Sequence, residues 1–86
     1  MITFTLNQGD YVKFRYFDRG TNRYFLQAGI VMANNPSNLH IIPLNGNENP
    51  EAVQRIFHSN PRVMTIHKKL INPNDIKEHI SGYVGH

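Results

Sequence analysis

From Tyr11 to Phe17 apolar and polar positions alternate with period two, the pattern of a half-exposed strand. One phase holds Val12, Phe14 and Tyr16 and is expected to face the core. The other holds Tyr11, Lys13, Arg15 and Phe17 and mixes flat rings with cations. Asp18–Asn22 supplies turn chemistry, with Gly20 able to take φ > 0 and Asp or Asn able to bond the nearby backbone. Tyr24–Met32 follows as a second strand and closes a hairpin, with Gly29 inside it marking a bend or bulge. Asn34–Asn38 is a second turn and Leu39–Leu44 a third strand. Pro43 has no amide to donate, so that strand end belongs at an edge or a bulge.

Asn45–Asn49 reads as loop, and Pro50–His58 as a short helix. Asn49 suits the N-cap, Pro50 the first turn, and Glu51 the positive end of the helix dipole. Val53, Ile56 and Phe57 form its apolar stripe. Arg62–Leu70 alternates again as a fourth strand, with Met64, Ile66 and Leu70 on one face. Asn72–Asp75 then has the start signals of a second short helix, where Ile76 and Ile80 stand four apart and Gly82 fits the C′ position. Thr3–Leu6 adds a short fifth strand. The fold class this predicts is mainly β: an SH3-like small barrel of four or five antiparallel strands with two short helices.

At 86 residues the chain is expected to be one domain with a thin core, burying only about 60–65% of its unfolded surface. There are no cysteines, which removes disulfides and thiolate metal sites and accords with a reducing cytoplasm. The start, MITFTLNQGD, has neither the basic nor the apolar region of a secretory signal. No apolar run approaches the ~20 residues a bilayer span needs. A cytoplasmic protein without membrane contact is the expectation. The many asparagines, with Ile, Tyr and Phe, suggest an AT-rich source of the phage or mobile-element kind.

Nine Lys and Arg against six Asp and Glu give a formal +3 and a pI near 9.5. The placement of these charges matters more than their sum. Lys13, Arg15, Arg19 and Arg23 crowd the first hairpin, beside Tyr11, Phe17 and Tyr24, with Lys69 on the fourth strand as a further cation. Basic groups neutralise phosphates, and exposed rings stack bases. Three readings of this face stand side by side. The rings pack beneath the chain's own helix, or the face meets nucleic acid, or it meets a protein, for which exposed Tyr, Phe and Arg are also the enriched types.

The order of the pieces resembles the MazF/PemK toxin family of SH3-like barrels. Gly9, Asp10 and Val12 match its Gly-Asp-x-Val strand start, and GIVMAN (Gly29–Asn34) its apolar strand ending in Asn. IIPLN (Ile41–Asn45) resembles its strand ending in Pro and a hydroxyl residue, and VMTIHKKL (Val63–Leu70) its later V-x-T-I-x-K-x-x-L strand. The resemblance implies RNA cleavage by an Arg before the second strand and a Ser or Thr after the third strand's Pro. This chain has Leu26 or Gln27 and Asn45 at those places. Gln lacks the cation and Asn the hydroxyl that such chemistry needs, and the helix Asn49–His58 is foreign to the pattern. The resemblance therefore implies a scaffold kept without its standard chemistry.

Five histidines raise metal or general-base chemistry, with His40 and His67 the better placed for a base because strands would hold them. None is spaced to put two ligands on one face, and no phosphate-binding glycine loop, nucleophile elbow or close carboxylate pair is present. Asp10 reads as a strand-initiating turn residue. No cofactor and no metal are expected. The favoured function is non-enzymatic binding of nucleic acid, with Lys13, Arg15, Arg19, Arg23 and Lys69 on phosphates and Tyr11, Phe17 and Tyr24 as stacking surface. A protein-binding inhibitor or adaptor, and a divergent endoribonuclease relying on His67 or Arg23, are the alternatives. A homodimer would relieve so thin a core, and barrels of the resembled family usually dimerise.

Overall fold

The computed structural model describes residues 5–59 and 61–84. Five antiparallel strands form one open sheet in the order β4-β3-β2-β1-β5. These are β1 (Tyr11–Asp18), β2 (Arg23–Asn34), β3 (Asn38–Leu44), β4 (Met64–His67) and β5 (Ile76–Ile80), with the helix α1 (Pro50–His58) between β3 and β4. The mainly β class and the antiparallel connectivity agree with the sequence pattern. No helix among the described residues is long and apolar enough to cross a membrane.

The alternation in β1 sorts side chains as its pattern requires. Val12 and Phe14 are fully buried, and Tyr16 packs at the margin of the same core with Val31, Leu39, Ile41 and Ile66. Each such burial contributes ~1.5–3 kcal/mol. Leu6 and Ile71, from the segments flanking the strands, complete this cluster. In a flat sheet β1 and β4 would lie ~14 Å apart, at nearly 5 Å per strand. Instead β1 contacts the 3₁₀ turn Lys68–Leu70 that follows β4. The sheet therefore curls around this core.

The outer face carries a second cluster of Ala28, Ile30, Ile42, Leu44, Val53 and Val84. Helix α1 covers it. Asn49 Oδ1 accepts the Ala52 amide at 2.8 Å, and Val53 is the helix's buried anchor, with Ile56 and Phe57 packed beside it. Gly29 is a close-approach position rather than a bulge. A Cβ there would stand 2.8 Å from both Ile41 Cδ1 and the Ile42 carbonyl. The β2–β3 register shifts two residues on, between Val31 and Ala33. Pro43 lies beyond the β4 ladder, which ends at the Ile41–Met64 pair, so its missing amide breaks no bond there.

Three expectations require correction. The second helix is absent: Pro73–Asp75 makes a single 3₁₀ turn, and Ile76–Ile80 is strand β5, paired with β1 from Tyr11 to Phe14. Asn72 does cap, its Oδ1 accepting the Asn74 amide at 2.9 Å, but β1 offered an open edge and took the following residues into the sheet. The fourth strand is also shorter than expected, because Lys68–Leu70 turns away as a 3₁₀ segment. Of the expected strand Thr3–Leu6, Thr3 and Phe4 lie outside the described residues, and Thr5 and Leu6 are not strand.

Asp10 fastens the start of β1 to the end of its neighbour β5. It is 1% exposed and accepts from the Asn7 amide, the Gly82 amide and His79 Nε2, the last at 2.8 Å. Burial alone would raise its pKa, but the Asn7 and Gly82 amides and the His79 ring outweigh it and hold the carboxyl below its ordinary value. Gly9, at φ +93°, lets the backbone pass under Val84, where a Cβ would stand 2.9 Å from the Val84 carbonyl.

Candidate nucleic-acid interface

The far end of β1 lies near the segment after β4. Between them lies a cleft of ≈ 720 Å³, lined by Arg15, Phe17, Arg19, Tyr24 and Lys69 with Asp75 at its wall. Register explains the grouping. Phe17 pairs with Tyr24 and Arg15 with Leu26, so these four side chains share one face of the hairpin. Arg19 comes from the turn at its tip, and Lys69 from the 3₁₀ segment across the cleft.

The rings are ordered by each other. Phe17 meets Tyr24 edge-on with centroids 5.1 Å apart, and the Arg15 guanidinium lies 4.9 Å from the Tyr24 ring centre. Arg15 Nη2 also donates to Asp75 Oδ1 at 3.0 Å. Arg15 is thus held by a ring and a carboxylate at once, and its side chain remains 48% exposed. Such a partly solvated pair is worth at most about 1 kcal/mol, so a competing anion could displace it cheaply.

Five of the predicted residues (Arg15, Phe17, Arg19, Tyr24 and Lys69) meet in this cleft, and three do not. Tyr11 lies on the same face of β1 but at its other end, tilted against Tyr83 at 5.2 Å. It is half-buried in the cluster under α1, where burial, then Glu78, Tyr83 and Glu48, push its hydroxyl pKa up. Lys13 sits opposite Glu78 on β5 and does not line the cleft. Arg23 opens β2 opposite Asp18, exposed and outside it.

Asp75 and its neighbours in the cleft wall were not anticipated. Nothing near Asp75 in sequence signals an arginine sixty positions away. The two histidines considered as general bases are engaged locally: His40 Nδ1 bonds the Thr65 hydroxyl at 2.9 Å, and His67 Nδ1 accepts the Lys69 amide at 3.2 Å. No group of three or more potential metal ligands occurs among the described residues.

No protein-family model, no curated protein and no solved structure matches this chain.

Proposed function

We propose that this chain is a small, non-enzymatic binding module that takes nucleic acid in the cleft between the first hairpin and Lys69. The observation that supports this reading is the convergence of Arg15, Arg19 and Lys69 on the Phe17–Tyr24 pair. Cations placed around a ring pair match a ligand that carries phosphates beside flat bases. Tyr24, 58% exposed, supplies the stacking surface, and stacking of this kind is worth ~1–3 kcal/mol per base. Arg15 would exchange Asp75 for a phosphate oxygen on binding, keeping a charge-assisted bond throughout. In this reading the curled sheet is an SH3-like barrel left open at its β4 and β5 edges. The outer-face cluster under α1 is scaffold.

Titration of a labelled single-stranded oligonucleotide at increasing salt tests the proposal. Binding should weaken steeply, because neutralised phosphates release counterions. An affinity that stays flat between low and moderate salt would remove it.

A further inference from the structure

The β2–β3 ladder begins only at Ala28, whereas β2 itself begins at Arg23. The five residues Arg23–Gln27 are therefore paired with β1 on one side and, among the described residues, with no strand on the other. They contain three successive exposed apolar side chains, Tyr24, Phe25 and Leu26, at 58%, 42% and 57%. This edge carries no proline, no bulge and no lysine, and its one charge, Arg23, stands at its end.

The direction of the free backbone groups follows from bonds at the other end of the strand. The Val31 amide donates to the Asp10 carbonyl, and the β1–β2 register runs without a shift from there to Asp18–Arg23. Antiparallel alternation then points the odd-numbered residues of β2 at β1 and the even-numbered ones away. The Gln27 side chain agrees, since its amide reaches the carbonyls of Ala28 and Leu44 on the β3 side. Tyr24 and Leu26 are thus the residues whose amides and carbonyls face outward.

We infer that this edge pairs with the same edge of a second copy, antiparallel about a two-fold axis at Phe25. That register sets Tyr24 opposite Leu26 of the second copy, and every outward amide and carbonyl of both residues is then bonded. It sets Arg23 opposite Gln27, so no like charges meet, and brings the Tyr24 ring against the apolar Leu26 side chain. A register centred on Tyr24 or Leu26 would leave the other's groups unpaired. The window is bounded by Leu44 at one end and by the turn at Asn22 (φ 57°) at the other, which fixes the pairing at these five residues. Because a pairing axis of this kind is perpendicular to the sheet, both clefts end on the same side. The inference does not depend on what the cleft binds.

The pairing is far smaller than the ~20–30 residues per partner of a standard interface, so a weak, reversible dimer is expected. Sedimentation of the full chain up to about 1 mM tests this. Leu26→Pro removes an outward amide without touching the β1 ladder and should raise the dissociation constant at least about tenfold, with unchanged circular dichroism. The chain has no cysteine, so Phe25→Cys provides a second readout that keeps the strand. Directly opposed residues on the axis are close enough for a disulfide. Mild oxidation should give a covalent dimer with Phe25→Cys and little with Thr21→Cys at the hairpin tip. A chain that remains monomeric to 1 mM, a Phe25→Cys variant that cross-links no better than Thr21→Cys, or an edge occupied only by an unrelated protein would overturn the inference.

Discussion

The carboxylate of Asp10 and the ring of His79 meet at 2.8 Å although sixty-nine positions separate them. This contact ties the turn before β1 to the last strand, and the Gly82 amide on the other carboxylate oxygen reinforces it.

Replacing Asp10 with Ala should cost about 3 kcal/mol, because two backbone amides and a ring nitrogen lose their acceptor in a buried place. Urea unfolding of the variant measures it. A loss under 1 kcal/mol would mean that the turn is held by its backbone bonds alone.

The same carboxylate gives stability a pH dependence of defined sign. Its folded-state pKa lies below the ordinary 3.8, so the folded state binds this proton less readily than the unfolded chain. The stabilisation is fully present above pH 3.8 and is lost as pH falls below it through the folded-state value. Thermal melts of the parent chain should drop across that window, and Asp10→Asn should flatten the drop.

Gly29→Ala should destabilise by about 1–3 kcal/mol, since the added methyl meets the Ile42 carbonyl, which is backbone and cannot move aside. Gly46→Ala is the informative comparison. Its Cβ would meet no atom within 4 Å, yet φ is +91°, so any loss there reports backbone strain alone. Chemical unfolding of the two variants separates the causes.

The two glycines also mark how far local pattern reaches. The faces of β1, the helix cap at Asn49 and the apolar stripe Val53-Ile56-Phe57 all follow from spacing within a few residues. Strand β5 does not. Ile76 and Ile80 stand four apart, a spacing that fits one side of a helix and equally one side of a regular strand, although the register shift opposite Lys13 and Phe14 sets Ile76 beside Phe14 and Ile80 beside Tyr11. Asn72 and Pro73 offer helix-start chemistry in either case. The choice was made by the open edge of β1, sixty residues upstream. The cleft divides the same way. The cationic, aromatic phase of the hairpin is visible in alternation, and Lys69 stands out by charge. That Tyr11 would turn toward Tyr83, and that Asp75 would hold Arg15, depends on the twist and curl of the assembled sheet.

Asp75→Asn should tighten binding of a single-stranded oligonucleotide about threefold to tenfold at low salt. The change frees Arg15 from its counter-charge and removes a negative group from the cleft wall. Stability should change by less than about 1 kcal/mol, as befits a partly exposed pair. Fluorescence anisotropy and a thermal melt of one sample give both numbers, and weaker binding with an intact fold would contradict the placement of the ligand beside Arg15.

The most direct test compares salt slopes of oligonucleotide binding for the parent chain, Arg19→Ala, Lys69→Ala and Arg62→Ala. The first two variants each remove a cation from the cleft, and each should lower the slope of log K against log salt by about 1. Arg62 is exposed and away from the cleft, and its variant should keep the parent slope. Equal slopes for all four proteins, or a loss confined to Arg62→Ala, would contradict nucleic-acid binding in the Arg15–Lys69 cleft.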